Sequence, residues 1–363
     1  MPRPGYRLAA CATCLALLVV LLGAYTRLTH AGLGCPDWPG CYGLAGVPGS
    51  PAQLAHAELH FPDHPVEAAK GWAEMLHRYF AGALTLVIFM LALQACRVRT
   101  SHERPWCLPL GLVGMVLAQA VFGMWTVTLR LWPQVVVVHL LGGFTTLSLL
   151  LLLSLRLSGA FAPGASRCKG LQRLALLGLL VVIGQIALGG WVSANYAAVA
   201  CIDLPTCHGQ WWPAADFANG FHLAQRIGPN YLGGQLDSEA RTAIHLTHRA
   251  GALVVLGVLG LLSWKLVRHG LAGLACLVAG MLLVQLGLGL ANVLLHVPLP
   301  IALAHSAGGA LLLMVMVVVN YRIGLGLLHR SQAQRGWSVV VDSDVGRPRA
   351  GWERWRRLRD PGS

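Results

Sequence analysis

Charge is what this 363-residue sequence has least of. Only 11% of its residues are charged, against roughly 25% in an ordinary soluble domain, and acidic side chains number 14. Hydrophobic residues make up 56%, which excludes disorder, a state that needs low hydrophobicity. That much apolar surface cannot be hidden in one or two water-facing domains, which argues against a soluble enzyme. A polytopic membrane protein is the class left. Also missing is an Arg- and Ser-rich amphipathic presequence before the first apolar run, which points to a bacterial plasma membrane rather than an organelle. The ten cysteines are too sparse in a chain this long for a disulfide scaffold, so their positions matter more than their number.

Apolar runs of about twenty residues, each able to cross a bilayer core as a helix, recur eight times: 8–28, 73–95, 107–128, 135–156, 174–194, 242–264, 272–294 and 301–321. The first has the look of a signal peptide, with Arg3 and Arg7 ahead of it, but it has a counterpart in mid-chain. A cytoplasmic N-terminus puts 20 of the 27 basic residues on the cytoplasmic side. Arg97, Arg99, Arg104, Arg156, Arg167, Lys169, Arg173, Lys265 and Arg268 are among them, as is the tail from Arg322 to Arg359. By the positive-inside rule both termini are expected in the cytoplasm. The net charge of +13 is therefore read as a topology signal. The run Arg354, Arg356, Arg357 and Arg359 is assigned to an anionic lipid surface, and no nucleic-acid partner is expected. Two long polar connections, about 29–72 and 195–241, fall outside.

The halves repeat at an offset of 166 residues. Cys35-Pro-Asp-Trp-Pro-Gly-Cys41 aligns with Cys201-Ile-Asp-Leu-Pro-Thr-Cys207, Gln119 with Gln285, Gly123 with Gly289, and His139-Leu-Leu-Gly-Gly with His305-Ser-Ala-Gly-Gly. At an offset of 171, His77-Arg78 aligns with His248-Arg249. Each unit holds four spans, an even number, so both enter the membrane in the same sense. The expected fold is an all-α membrane protein of eight helices, arranged as two parallel-repeat four-helix bundles about an axis along the membrane normal. Residues 1–160 form the first bundle, 161–330 the second and 331–363 a basic tail.

His77, His139, His248 and His305 all lie about a turn inside the outer ends of spans. Ionisable groups there are costly and mark function. Two facing imidazoles suit a six-coordinate haem iron; the alternative for each is a hydrogen bond to a neighbouring helix. The pairs Gly142-Gly143 and Gly308-Gly309 offer flat backbone to a macrocycle, or close helix packing. Arg78 and Arg249 can pair with propionates or snorkel toward headgroups. Zinc, the competing metal, wants three or four protein ligands, and each half offers two well-placed histidines. His56, His60 and His64 could line a helix face or hold a loop metal; the solvated helix is preferred. His208, His222 and His245 stay unassigned.

Glu74 shares a helix face with His77, and its counterpart is His245. A carboxylate beside a metal site can relay protons, so the chemical site is placed in the first half and a holding site in the second. The C-x5-C pairs lie outside, where disulfides persist. Cys201–Cys207 is read as bracing its loop. For Cys35–Cys41 a redox role stays open, subject to thiol exposure and acidity. The other six cysteines are read as small apolar residues.

Taken together, Glu74 to Arg78 as Glu-x-x-His-Arg, His139, His248-Arg249, His305 and the paired outer cysteines resemble the haem A synthase family, over residues 8 to about 321. The resemblance implies oxidation of the C8 methyl of haem O to a formyl group by successive hydroxylation, giving haem A for cytochrome oxidase. It implies that His77 and His139 hold the substrate haem, that Glu74 is needed for activity, and that His248 and His305 ligate a haem b cofactor. In the disulfide-bearing branch Cys35–Cys41 is the pair tied to function, so Glu74, Cys35 and Cys41 are the catalytic candidates. Haem O, the lipid bilayer, a haem O synthase and an electron donor are the implied partners, with homo-oligomerisation left open. A farnesyl tail on the substrate requires an apolar groove. The rivals are a di-haem b-type electron carrier, disfavoured because all four histidines sit near one membrane face, and a parallel-repeat transporter relaying protons, which lacks a charged midplane residue.

Overall fold

The structure, a computed structural model, describes residues 3–97, 107–159 and 169–344, with side chains through residue 324. Among these residues it is helical without strands, and eight helices are long and apolar enough to cross a membrane. In chain order they are α1 (Tyr6–Leu28), α3 (Ala68–Arg97), α4 (Cys107–Thr128), α5 (Pro133–Ser158), α6 (Lys169–Ala194), α8 (Ser238–Arg268), α9 (Ala272–Leu294) and α10 (Leu299–Asp344). Two short helices, α2 (Pro51–His60) and α7 (Phe217–Gly220), lie in the long connections. In hydrocarbon every backbone amide must be paired within the segment, so an apolar span of this length has no other regular state.

The boundaries match the apolar runs at α4 and α9. Elsewhere the helices run past them: α3 and α8 begin at Ala68 and Ser238 rather than near 73 and 242. Hydropathy registers only the part of a helix in hydrocarbon, whereas capping extends it. Asp237 does this for α8, its carboxylate accepting from Ala240 N–H at 2.8 Å. As a result His77 and His248 lie about two to three turns into their helices, deeper than the single turn expected. α10 likewise continues beyond 321. Arg99, Arg104, Arg167 and the run Arg354, Arg356, Arg357 and Arg359 lie outside the described residues.

Within the first half α1 packs on α3 and α5, and α4 on α3 and α5; in the second, α6 packs on α8 and α10, and α9 on α8 and α10. The halves meet through α5 with α6, α1 with α10, and α5 with α10. Small residues let the backbones approach, as in membrane helix packing generally. Ala9, Ala12 and Ala16 of α1 and Ala175 of α6 are buried among Leu147, Leu150, Leu259, Leu262 and Met316. Polar side chains add specific bonds: Thr13 and Ser154 hydroxyls pair at 3.1 Å, and Asn320 donates to Ala175 O at 2.9 Å.

Local structure repeats in the same register as the sequence. Positive φ occurs at His30 and Tyr196, Tyr42 and His208, Arg130 and His296, and Leu131 and Val297, each pair 166 residues apart. Three contacts also join a residue to the one 166 later. Arg27 donates to Ser193 O, His30 stacks on Tyr196 at 5.4 Å and 9°, and the Tyr321 hydroxyl donates to Leu155 O at 3.3 Å.

Candidate functional site: paired imidazoles under a disulfide loop

His77 of α3 and His139 of α5 face each other across the first half, ring centroids 6.4 Å apart and planes at 86°. Iron held about 2 Å from a nitrogen of each ring, with each nitrogen about 1.1 Å from its centroid, requires about 6.2 Å. The pair thus stands at the separation a bis-imidazole iron demands. His77 Nδ1 lies 3.1 Å from Val19 O; the carbonyl can only accept, so Nδ1 carries the proton and Nε2 keeps its lone pair for a metal. His139 Nδ1 is buried without a partner.

His248 of α8 and His305 of α10 stand at the corresponding positions of the second half. His305 Nδ1 is buried without a partner. A difference lies in what holds the first ring. Position 19 is Val, whereas its counterpart is Gln185, whose Nε2 lies 3.2 Å from His248 Nδ1 and donates to His248 O at 2.9 Å.

Each imidazole rests on a glycine of a neighbouring helix. A Cβ on Gly23 would stand 2.9 Å from His77 Cε1, and a Cβ on Gly123, Gly189 or Gly289 would stand 3.3 Å from Cε1 of His139, His248 or His305. Gly23 and Gly189, missed in the sequence, share the 166-residue offset that flagged the other two. Of the two expectations for the glycines after His139 and His305, Gly142 and Gly308 meet the second, close helix packing. Gln119 and Gln285 fill the space beside Gly142 and Gly308, leaving no room for a Cβ. The contact there is a close helix approach filled by an amide.

Above the histidines sits the first disulfide loop. Cys35 and Cys41 are bonded, as are Cys201 and Cys207, and all four are fully buried or nearly so. The Cys35–Cys41 bridge packs with Tyr42, Val47, Ala57 and Met75, so exchange with an external thiol requires the loop to open. Asp37 fixes the turn by accepting from Tyr42 and Gly43 N–H, both at 2.7 Å. Asp203 repeats this with His208 and Gly209 N–H at 2.7 and 3.0 Å. The Thr206 hydroxyl, donating at 2.5 Å, does most to hold the Asp203 carboxyl down to about 2.

The two arginines clamp these loops. Arg78 donates to Asp37 O at 3.0 Å, Pro39 O at 3.2 Å and Gly40 O, and its Nη2 meets Glu74 Oε1 at 2.6 Å. Arg249 donates to Cys201, Asp203 and Thr206 carbonyls at 3.0, 2.9 and 2.9 Å. Neither guanidinium is snorkelling, and this loop contact was not read from the sequence. Glu74 is 5% exposed, and its Oε2 accepts from Cys35 N–H at 3.0 Å. Its counterpart His245 reverses the polarity, its Nδ1 bonding to Ala197 O at 2.9 Å. His208 and His222 are exposed. In α2 the His56 and His60 rings lie 4.1 Å apart, with His64 beyond the helix end; among the described residues no three His, Cys, Asp or Glu side chains converge as a metal site.

The sequence profile of the COX15-CtaA family, described as cytochrome oxidase assembly protein, matches residues 6–317. The chain belongs to that family. A relative from Shewanella oneidensis named heme A synthase is 47% identical over 307 residues, covering 84% of this chain and 92% of its own length. A heme A synthase from Methylobacterium radiotolerans is 32% identical over 352 residues, covering 88% and 90%. One from Rhizorhabdus wittichii is 26% identical over 325 residues, covering 84% and 89%. In this COX15-CtaA member both histidine pairs, Glu74 and both disulfide loops fall within the matched residues, whereas the basic tail falls beyond them.

Proposed function

We propose that this protein is a haem A synthase, oxidising the C8 methyl of haem O to the formyl of haem A. The observation that carries the reading is the 6.4 Å separation of the His77 and His139 rings, joined to family membership. His77 and His139 would hold the substrate iron between them. Val19 O fixes the tautomer that leaves His77 Nε2 free. Glu74 lies one turn from His77 on the same face and is the carboxylate nearest that pair in sequence. It is the group this chain provides for proton transfer beside that pair. Arg78 and Cys35 N–H, both bonded to it, hold it in one orientation.

His248 and His305 hold haem b, which supplies electron transfer when bound. The absence of a carboxylate at position 245 suits holding rather than reacting. The domain assignment follows: a catalytic half over 1–160, a cofactor half over 161–330 and a tail over 331–363. The contacts between residues 166 apart support a two-fold arrangement of the halves, because equivalents meet each other only on a rotation axis. That axis passes the His30–Tyr196 stack at the disulfide-bearing end and Leu155–Tyr321 near the other. The charge distribution supports an orientation with both termini in the cytoplasm and the disulfides outside.

The test is pigment analysis of the purified protein. Haem O, haem A or an intermediate should accompany haem b, and cells lacking the protein should accumulate haem O. A preparation with haem b alone, from cells that make haem O, would turn the reading toward an electron carrier.

A further inference from the structure

An open groove of about 330 Å³ lies between the disulfide-bearing ends of α4 and α5. Phe122, Trp125, Trp132, Val135 and Val138 line it, with Gln134 at the rim. Phe122 and Trp125 meet edge to face at 5.4 Å. They flank Gly123, the residue against which the His139 ring rests, and Val138 precedes His139 in the chain. The groove is thus lined by chain neighbours of His139 and of the glycine beneath it, the His139 ring itself lying outside the lining. Its volume lies at the lower end of the roughly 300–1,000 Å³ of small-molecule clefts, which suits an extended chain lying along a helix and not a whole macrocycle.

Its two halves of origin differ sharply. At the 166-residue offset, Phe122, Trp125 and Trp132 become Leu288, Ala291 and Pro298, while Gln134 becomes Pro300 and Val138 becomes Ala304. Every aromatic residue of the lining is confined to the first half. The connection of the second half also reaches over to the groove: Trp132 Nε1 donates to Gln225 O at 3.2 Å and Gln134 Nε2 to Leu223 O at 3.0 Å. Gln134 Oε1 is buried with no partner.

We infer that this groove is the subsite for the isoprenoid tail of the substrate haem, and that it is what sorts a tailed haem to the first histidine pair and a tailless one to the second. The inference rests on the proposed function, which places the substrate at His77 and His139. Flat aromatic faces cover a flexible polyene at little entropic cost. Gln134 Oε1 offers an unused acceptor to the hydroxyl that the substituent of haem O carries near the ring.

The experiment titrates haem O and, separately, haem b into purified full-length protein whose second half retains its haem b, whose low-spin spectrum reports folding. The wild type is compared with the double variant Phe122→Leu/Trp125→Ala, which installs the residues of the second half. Wild-type protein should bind haem O more tightly than haem b at the first pair. The variant should lose haem O affinity by about ten- to a hundredfold, with its haem b affinity at that pair unchanged. A variant that keeps the wild-type preference for haem O, or a wild type without one, overturns the groove alone and leaves it to a lipid acyl chain. Wild-type protein that takes up neither haem at His77 and His139 overturns the assignment of that pair, and the groove with it.

Discussion

The Glu74 carboxylate accepts a hydrogen bond from the backbone N–H of Cys35 at 3.0 Å, tying a buried acid of α3 to the first residue of a disulfide loop 39 positions earlier. The same carboxylate pairs with Arg78 at 2.6 Å, and Arg78 reaches the carbonyls of that loop. Acid, base and loop are one connected unit.

Glu74→Gln retains an acceptor for Cys35 N–H and the side-chain volume, but loses the charge. Haem content should stay near wild type while conversion of haem O falls by about a hundredfold or more, the usual contribution of a positioned acid or base. Glu74→Ala should give the same loss of conversion and, because it strands a buried guanidinium, lower stability as well. Undiminished haem A production in Glu74→Gln would refute a catalytic role.

Gly23→Ala sets a methyl group 2.9 Å from His77 Cε1, closer than carbon atoms tolerate, so the imidazole must swing away. Occupancy of the first pair should drop while haem b in the second remains. Gly189→Ala, with 3.3 Å to His248 Cε1, should do the reverse and more mildly. Haem-to-protein ratios measured on both variants decide; equal losses at both pairs would show a general folding defect instead.

His248→Ala and His305→Ala should each abolish the low-spin haem b spectrum, since one axial ligand is removed in either case. His77→Ala and His139→Ala should leave that spectrum in place and remove haem O binding. Low-temperature spectra of the four variants assign each pair, and a haem b signal that vanishes with His77 reverses the assignment.

Removing either disulfide by paired Cys→Ser changes should cost about 2 kcal/mol, the chain-entropy value for so short a loop. Only the Cys35/Cys41 variant should also lose activity in proportion greater than its loss of folded protein, because Cys35 N–H holds Glu74. Thermal unfolding and turnover are measured on the same samples. Matching activity losses in the Cys201/Cys207 variant would make both loops merely structural.

Asp203 should titrate with a midpoint of about 2 in a carbon-detected NMR titration of the solubilised protein. A folded value held below the usual carboxylate range stabilises the loop at pH above the unfolded value, and that contribution disappears as pH falls through about 2. Thr206→Val, which removes the foremost cause, should raise the midpoint; an unchanged midpoint would assign the effect to the His208 and Gly209 amides.

The eight spans and the register of the duplication were legible in the sequence, and so were the identities of the four histidines and Glu74. Hydrocarbon leaves an apolar twenty-residue run no choice but a helix, and a 166-residue offset is a property of the string itself. What the helix ends do was less legible, because Ala68 and Ser238 begin their helices in polar sequence that hydropathy does not count.

Only the tertiary structure decided which surfaces meet. Spacing along α3 puts Glu74 and His77 on one face, but it does not say that His77 opposes His139 at 6.4 Å, because that depends on how two helices are rotated against each other. The same holds for Arg78, whose Nη1 meets loop carbonyls that the chain alone does not bring near, and for Gly142, whose neighbouring space is filled by Gln119. Helix periodicity is a one-dimensional constraint fixed residue by residue, whereas rotation, depth and loop path are settled together by close packing of all the spans.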